Sequence, residues 1–272
     1  MFPVEILAVV TNHVIAVIKP PIGKLADVFG RLESFSLAIF LYTVGYIQQA
    51  ASRNVQTFAS AQIFWAAGFN GLQVLQQIFV ADSTDLLNRA LFSTLFDVPF
   101  LWTTWAGPEV GQAILRVATW RWGYAIWAII LPVCFIPLAV SLFMNQRRAK
   151  QLGIEVPSPF HGRTIVQNLK NLWVDLDTFG LLLFAAAISL ILLPLTLAPN
   201  ANKKWKNSSM IAMFVTGGVC LLGFPFWERS KRLAPHAFFP PSLFRNRTIM
   251  AGTLIAFFYF SKYLSHLNVS VY

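Results

Sequence analysis

Residues 176–198 read LDTFGLLLFAAAISLILLPLTLA, an apolar run long enough to cross the hydrocarbon core of a bilayer as one helix. Its apolar residues do not alternate with polar ones, as they would along a strand of a membrane barrel. Helices and closed barrels are the two structures that satisfy every backbone polar group in lipid. Similar runs recur along the 272 residues, so the sequence predicts an all-α membrane protein that crosses the bilayer several times.

The composition supports a membrane protein, and the sequence lacks the motifs of ATP-driven transport or soluble-type hydrolysis. Hydrophobic residues make up 56% of the chain and charged residues 12%, whereas soluble domains carry about 25% charged residues. Cys134 and Cys220 both lie in apolar runs, without a CxxC spacing or a neighbouring histidine, so zinc and redox chemistry are not expected. The sequence has no Walker, GxGxxG or catalytic-triad pattern, and we predict neither a cofactor nor an enzymatic activity.

The apolar runs predict eight transmembrane spans. They cover residues 3–28, 35–51, 58–80, 91–115, 122–144, 176–198, 210–227 and 248–263. Lysine and arginine concentrate in the loops after the first, third, fifth and seventh spans, which places those loops in the cytoplasm by the positive-inside rule. Most of the net charge of +10 therefore reflects topology in a lipid bilayer, and no nucleic-acid partner is expected.

The stretch GKLADVFGRLE, residues 23–33, places charged residues between the first two spans. Gly23 would let another helix approach closely, and Gly30 would permit a sharp turn. Asp27 could accept hydrogen bonds from a helix N-terminus or an arginine, and Arg31 could bind carbonyl or carboxylate oxygens. The alternative interpretation is a charged loop that merely ends two helices.

These residues resemble the signature loop of the major facilitator superfamily, G-x-L-A-D-x-x-G-R, and we call residues 23–33 the signature loop. The positions that fit the pattern are Gly23, Leu25, Ala26, Asp27, Gly30 and Arg31. Val28 and Leu32 depart from it, because many members carry a basic residue there. The resemblance implies that Asp27 pairs with a basic residue near the fourth family helix, for which Arg89 is the candidate, and with a helix end in the second half of the fold.

Longer stretches resemble the fungal siderophore–iron transporters, which are fourteen-span members of that superfamily. They are VIKPPIGKLADVFGRLESFSLAIFLYTVGYIQQAAS (17–52), GLQVLQQIFVADSTDLLNRALFSTL (71–95), WRWGYAIWAIILP (120–132) and FFPPSLFRNRTIMAG (238–252). On this resemblance the eight spans correspond to family spans two to nine. The resemblance implies alternating access between two helical bundles and the import of a ferric siderophore coupled to protons.

The resemblance also divides the chain into segments. Residues 1–144 would form the first helical bundle, 145–175 a cytoplasmic loop, 176–227 two additional family spans, 228–248 a second cytoplasmic loop and 249–272 the first helix of the second bundle. With the signature loop in the cytoplasm, Met1 would lie outside without a polar leader, so we expect an earlier span to be missing. A truncated membrane protein that does not transport is therefore an alternative hypothesis.

Polar residues inside the spans are costly in lipid, so each is a candidate site residue. Asn70, Gln73 and Gln77 share one face of the third span, and Trp102 and Trp105 lie on the fourth. Family geometry makes these residues candidates for the wall of the substrate cavity. Amide side chains also hydrogen-bond between helices, so the alternative for the third span is interhelical packing.

Glu109, in the fourth span, is the candidate for proton coupling, because a carboxylate in an apolar setting can bind and release a proton near neutral pH. The alternative is that Glu109 lies near the outer interface in contact with water. Its segment GPEVG resembles the GPxxGG element of drug–proton antiporters, although Gln112 replaces the last glycine. Drug export by proton exchange is therefore a second alternative function.

Asp82, Asp85 and Arg89 cluster at the predicted cytoplasmic end of the third span. We expect them to act with Asp27 and Arg31 as gating partners rather than to contact the substrate. No His, Cys or carboxylate group has metal-ligand spacing, so no metal site is predicted. A siderophore already fills the coordination sphere of its ferric ion, and the protein needs to recognise only the outside of the chelate.

Overall fold

The computed structural model describes residues 3–153, 173–197, 208–230 and 246–269, but not the side chains of residues 3–10, 12, 13, 197 and 259–269. These residues form helices and contain no strand, which confirms the predicted all-α class. The helices are α1 (Pro3–Phe29), α2 (Arg31–Ala51), α3 (Val55–Ser83), α4 (Leu86–Leu95), α5 (Val98–Val117), α6 (Trp120–Gln151), α7 (Thr178–Leu197), α8 (Ser208–Arg229) and α9 (Arg247–Val269).

The predicted fourth span, 91–115, is divided between α4 and α5 by a turn at Phe96 and Asp97. Pro99 explains the division, since it has no backbone N–H to donate to the carbonyl of Leu95 and instead occupies the first turn of α5. The prediction of one continuous helix was therefore wrong at this point. Pro99 is visible in the sequence and was the available signal.

The helix α6 continues to Gln151, so the first residues of the predicted loop 145–175 are helical. Arg148 and Lys150 lie in its last turn, where positive side chains interact favourably with the C-terminal end of the helix dipole. Residues 154–172 and 231–245, which make up most of the two predicted cytoplasmic loops, lie outside the described residues.

In the described part of the chain, three helices are long and apolar enough to cross a membrane by length and composition alone. They are Trp120–Gln151, Thr178–Thr196 and Ser208–Arg229. The other predicted spans are also helical over their described residues, and the described part of the last one, Arg247–Phe258, is a shorter apolar helix. Their passage through the bilayer stays a prediction.

The helices α1, α2 and α3 pack around a common core of Ile22, Ala26, Phe35, Ala38 and Leu75. The helix α2 also packs against α6, while α1 packs against α7, and α7 pairs with α8. In contrast, α4, α5 and α6 bury no residue fully. The best-packed part of the molecule therefore lies directly beside the signature loop, which joins α1 to α2.

Two glycines allow α2 and α3 to pack backbone to backbone. A Cβ atom built on Gly45 would lie 2.5 Å from the backbone nitrogen of Trp65, and one on Gly68 would lie 2.5 Å from the Cα atom of Tyr42. Such distances leave no room for a side chain, as at other close helix contacts in membrane proteins. Gly23 was predicted to have this role as well, but no described heavy atom comes within 4 Å of a Cβ built there, so none of the described helices packs closely at Gly23.

Candidate functional site

The signature loop turns at Gly30, which separates α1 from α2 and has φ 98° and ψ 173°. Glycine is essentially the only residue that adopts this backbone region, because a Cβ atom would clash with the backbone. The structure thus confirms the predicted sharp turn. It brings the C-terminal end of α1, with Asp27, next to Arg31 at the start of α2.

We expect Gly30→Ala to destabilise the protein by about 1–3 kcal/mol, because alanine is strained at a positive φ of this kind. Gly23→Ala in the same loop is the matched control. Gly23 is helical with open space around it, so alanine there should be neutral or stabilise by about 0.5–1 kcal/mol. Thermal unfolding of both variants in detergent measures the difference, and equal losses of stability would contradict the assigned turn.

Arg31 is the centre of a polar cluster at this end of the bundle. Its Nη1 donates to the carbonyl oxygen of Ala26 at 2.7 Å and to Asp27 Oδ1 at 3.1 Å, while its Nε donates to Asp82 Oδ2 at 2.8 Å. Burial alone would lower the pKa of Arg31, but the hydrogen bonds and charges of Asp82 and Asp27 outweigh it and raise the pKa. Arg31 therefore stays positively charged and ties α1, α2 and the end of α3 together.

The remaining predicted gating residues do not all join this cluster. Arg89 donates from Nη2 to the carbonyl oxygen of Ala81 at 2.9 Å, and the described partner of Asp27 is Arg31. The expected pairing of Asp27 with Arg89 is therefore corrected to a pairing with Arg31, which lies four residues from Asp27, across the turn at Gly30. Asp85 precedes α4 and accepts the backbone N–H groups of Asn88 and Arg89 through its carbonyl oxygen.

Asp85 lines a separate cavity of about 320 Å³ between the end of α3 and α4. Its other lining residues are Phe79, Val80, Ser83, Thr84, Asn88, Phe92 and Phe96. Asp82 and Asp85 are three residues apart in the sequence but lie in different environments, because α3 ends between them at Ser83.

A second polar contact at the same end of the bundle was missed in the sequence. Gln146 donates from Nε2 to Glu33 Oε1 at 3.1 Å and so links the first turn of α2 to the end of α6. The apolar pattern of the fifth span ends at residue 144, and Gln146 was assigned to a loop. The contact exists because α6 extends beyond its apolar part.

The predicted cavity wall is dispersed in the structure. Asn70 is buried and donates from Nδ2 to the carbonyl oxygen of Ala66 on its own helix at 2.8 Å. Gln73 is partly buried and Gln77 is exposed. On α5, Trp102 and Trp105 are 76% and 83% exposed, and Glu109 is exposed as well. None of these six residues lines either cavity described in this section.

A larger cavity of about 420 Å³ lies between α2, α3, α5 and α6, and we call it the outer aromatic cavity. It lies at the helix ends that the charge distribution predicts to face the non-cytoplasmic side of the membrane. Its lining residues are Tyr46 and Gln49 from α2, Gln62 and Trp65 from α3, Gly111, Ile114 and Leu115 from α5, and Trp120, Gly123, Tyr124 and Trp127 from α6.

Ring contacts and hydrogen bonds hold this cavity in shape. The ring of Tyr124 lies 6.4 Å from that of Tyr46 and 6.0 Å from that of Trp120. Arg121 donates to the carbonyl oxygen of Ser52 at 3.1 Å, and its guanidinium lies 4.8 Å from the Trp120 ring. The outer end of α6 is thereby fixed to the connection between α2 and α3. The sequence analysis did not identify this cavity.

Comparison with known protein families tests the resemblance that the signature loop indicates. The profile of the Major Facilitator Superfamily matches residues 4–271, almost the whole chain. The chain belongs to the Major Facilitator Superfamily. It is therefore an integral membrane protein of a transporter superfamily, as the sequence predicted, and the signature loop occupies its expected place between two helices.

Individual members of the superfamily are similar over most of this chain. It is 54% identical over 260 residues to the "Siderophore iron transporter mirC" of Emericella nidulans and 52% identical over 260 residues to the "MFS siderochrome iron transporter C" of Aspergillus fumigatus. Each alignment covers 96% of this chain and 43% of the relative. The "Siderophore iron transporter 1" of Schizosaccharomyces pombe is 38% identical over 254 residues, 93% of this chain and 40% of that protein. The chain thus spans less than half the length of these relatives.

Within this superfamily member, the paired helices α7 and α8 carry a polar contact that sequence analysis also missed. Asp177 is 4% exposed and precedes α7, and its Oδ1 accepts the backbone N–H of Gly180 at 3.3 Å and the indole N–H of Trp227 at 3.2 Å. The rings of Phe179 and Trp227 lie 4.2 Å apart. The spacing of Asp177 and Gly180 at a helix start was the available signal.

The described residues contain no group of three His, Cys, Asp or Glu side chains that could hold a metal ion. The contacts described above define a candidate site with two parts, which lie at opposite ends of the bundle. One is the Arg31 cluster, and the other is the outer aromatic cavity.

Proposed function

We propose that this chain is part of a proton-coupled transporter that imports ferric siderophores across a fungal membrane. The observation that carries the proposal is the 54% and 52% identity, over 96% of the chain, to proteins named for siderophore and siderochrome iron transport. The chain spans 43% of those proteins, so the activity is proposed for the whole transporter in which its residues act. The plasma membrane and endosomal vesicles are the proposed locations.

The proposed organisation follows the resemblance to the fourteen-span siderophore–iron transporters. Residues 1–144 contribute to the first bundle, 176–227 are the additional spans and 249–272 begin the second bundle, with the segments 145–175 and 228–248 as cytoplasmic loops between them. Alternating access then needs a contact at the cytoplasmic side that holds in one state and breaks in the other. The cluster of Asp27, Arg31 and Asp82 suits that role, because charged hydrogen bonds join three helices at a surface where water can replace them.

Proton coupling is proposed for Glu109, a carboxylate on α5 near the kink-forming Pro108. Asn70, Gln73, Gln77, Trp102 and Trp105 are proposed as polar and aromatic contacts along the substrate path. Of these, Gln77, Trp102 and Trp105 are accessible in the structure and are the better candidates for direct contact. Drug export finds less support, because the similar proteins are named for siderophores and the antiporter pattern is broken at Gln112.

A chimera tests the function without depending on the length of this chain. The matching 260 residues of the 54%-identical relative would be replaced by this chain, and the chimera expressed in a fungal strain that lacks its own siderophore transporters. We expect uptake of radiolabelled iron from a ferric hydroxamate, and loss of that uptake when the proton gradient is collapsed. Uptake equal to that of the empty vector would reject import, and uptake indifferent to the gradient would reject proton coupling.

In the same chimera, Asp27→Asn should lower the uptake rate by about tenfold, the size expected when a coupling contact between states is lost. Asp97→Asn is the matched control, because Asp97 is another exposed carboxylate but lies in the turn between α4 and α5, and none of the contacts of Arg31 involves it. Equal rates for the two variants would contradict a gating role for Asp27.

A further inference from the structure

The outer aromatic cavity opens at the side of the bundle, between α5 and α6. Leu115, Trp120 and Trp127 belong to its wall and are 62%, 43% and 48% exposed, so its mouth is rimmed by large apolar residues. A Cβ atom built on Gly111 of α5 or on Gly123 of α6 would meet no described atom within 4 Å, and packing therefore does not close the gap between these helices. In an integral membrane protein, an apolar opening of this kind suits contact with lipid rather than with water.

The cavity follows α6 inward from the membrane surface. Its wall on this helix extends from Trp120, the first residue of α6, to Trp127, which lies about 10 Å further along at the rise of an α-helix. The charge distribution predicts that α6 begins on the non-cytoplasmic side of the bilayer. The cavity therefore occupies the depth of the headgroups and the upper acyl chains of that leaflet, and its volume of about 420 Å³ is within the range of small-molecule sites.

The wall is aromatic, uncharged and already packed in place. Tyr46, Trp65, Trp120 and Tyr124 present ring surfaces, and none of the described residues that line the cavity is acidic or basic. The ring of Trp65 stacks on that of Phe69 at 5.4 Å, with an angle of 10° between the planes. Such a wall suits a neutral ligand with flat apolar faces, because an uncompensated charge would be costly to bury there.

Gln49 adds a specific requirement for the ligand. It lines the cavity near the end of α2 and is 1% exposed, and its Oε1 has no hydrogen-bond partner among the described residues. A buried acceptor without a donor is costly, and a ligand that supplies an O–H or N–H group recovers this cost after a small rotation of the side chain. The ligand should therefore carry one hydrogen-bond donor at the end that lies nearest the membrane surface.

Among membrane lipids, these properties favour a sterol over a phospholipid. A phospholipid would bring a charged headgroup, whereas the guanidinium of Arg121 beside the cavity already binds the carbonyl of Ser52 and the ring of Trp120. Its flexible acyl chains would also lose much conformational freedom on binding. A sterol is neutral and rigid, has a flat face, and carries a single hydroxyl group at one end.

We propose that the outer aromatic cavity binds a membrane sterol from the non-cytoplasmic leaflet. The sterol enters between α5 and α6, packs its fused rings against the aromatic wall and donates a hydrogen bond from its hydroxyl group to Gln49 Oε1. It supplies packing at a weakly packed place, since neither α5 nor α6 buries a residue fully among the described residues. The proposal goes beyond the proposed transport and does not depend on which substrate is carried.

Photolabelling tests the site in the full chain, purified in phosphatidylcholine nanodiscs that contain a photoreactive ergosterol analogue. We expect the label on residues that line the cavity. Gly111→Leu and Gly123→Leu fill the gap and should each lower labelling by about tenfold or more. Gly107→Leu is the matched control, because Gly107 also lies on α5 in open space but does not line the cavity, and it should change labelling by less than about twofold. Equal labelling of the three variants, or label found elsewhere on the chain, would overturn the site.

A competition experiment covers the case in which the leucine variants fold poorly. In the unchanged chain, ergosterol should compete with the photoreactive analogue at about tenfold lower concentration than ergosterol 3-acetate, which lacks the O–H donor. In Gln49→Leu the two competitors should act at equal concentrations, because the acceptor is gone. Equal competition in the unchanged chain would overturn the hydrogen bond to Gln49 and the preference for a sterol.

Two further ligands separate a sterol site from the alternatives. A photoreactive phosphatidylcholine should label the cavity at least about tenfold less than the sterol analogue, and equal labelling would replace the sterol site by a general lipid contact. Excess ferric tris-hydroxamate should leave sterol labelling unchanged, whereas displacement would assign the cavity to a transported substrate. Uptake by the chimera is measured separately, so failure of import leaves the sterol site standing and failure of sterol labelling leaves import standing.

Discussion

Gly68→Ala should destabilise this protein more than any other substitution of one methyl group that we consider, by about 3 kcal/mol. The added Cβ would lie 2.5 Å from both the Cα and the Cβ atoms of Tyr42, so the clash is with the backbone of α2 and not with the end of a flexible side chain. The helices α2 and α3 would have to separate, and their shared packing of Tyr42 and Gly45 would be lost along the interface. The expected result is a much lower thermal unfolding midpoint and little monodisperse protein after extraction.

Gly71→Ala is the control that isolates this effect, because it lies one turn further along the same helix. A Cβ atom at Gly71 would meet the side chain of Ile22 at 3.4 Å and Ala38 Cβ at 3.5 Å, which are ordinary contacts. We therefore expect Gly71→Ala to be tolerated, with a change within about 1 kcal/mol of zero. If both variants unfolded alike, the close backbone contact at Gly68 would be wrong.

The sequence predicted the helices well because their signal is local. Apolar runs indicated most of the described helices to within a few residues, but they missed the break at Phe96 and Asp97, which follows from Pro99, and the extension of α6 to Gln151. Helix partners were not predictable in the same way, because they depend on how distant segments meet. Gly23 and Gly68 are both glycines in helices of this chain, and only the three-dimensional arrangement shows that Gly68 faces a neighbouring backbone and Gly23 does not.

The residues of the candidate site show the same contrast between local signals and contacts that depend on how distant segments meet. Asp27 and Arg31 are only four residues apart, but the resemblance implied a different partner, Arg89, for Asp27. The contact from Arg31 to Asp82 spans 51 residues, and it agrees with the expectation that Asp82 acts together with Asp27 and Arg31. The outer aromatic cavity draws its residues from four helices, and no single stretch of sequence contains its pattern. The expected pairing of Arg89 with Asp27 is not seen because the Arg89 guanidinium donates instead to the carbonyl oxygen of Ala81, near the end of α3.

Arg31→Gln should cost about 2 kcal/mol of stability, because it removes a side chain that binds acceptors from both α1 and α3. Asp82→Asn should cost less, and Asp27→Asn least, below about 1 kcal/mol, since the Asp27 side chain is 67% exposed and water replaces its contact readily. Arg31→Lys should behave almost like Arg31→Gln, because an ammonium group cannot reach three acceptors arranged around a planar guanidinium. Thermal unfolding of the four variants and of the double variant Arg31→Gln with Asp82→Asn gives the ranking and the coupling of the pair.

This ranking of stability losses allows a structural role of Asp27 to be distinguished from a role in gating. If Asp27 acts only to hold the fold, its small cost in stability should bring an equally small loss of uptake in the chimera. If it holds one transport state, Asp27→Asn should leave the unfolding midpoint nearly unchanged and still slow uptake by about tenfold. A loss of stability at Asp27 as large as that at Arg31 would contradict the exposure of its carboxylate and the geometry of the cluster. Because Arg31 binds acceptors on both α1 and α3, its variants should lose stability and transport together. Variants of Asp27 can therefore distinguish a role in stability from a role in gating.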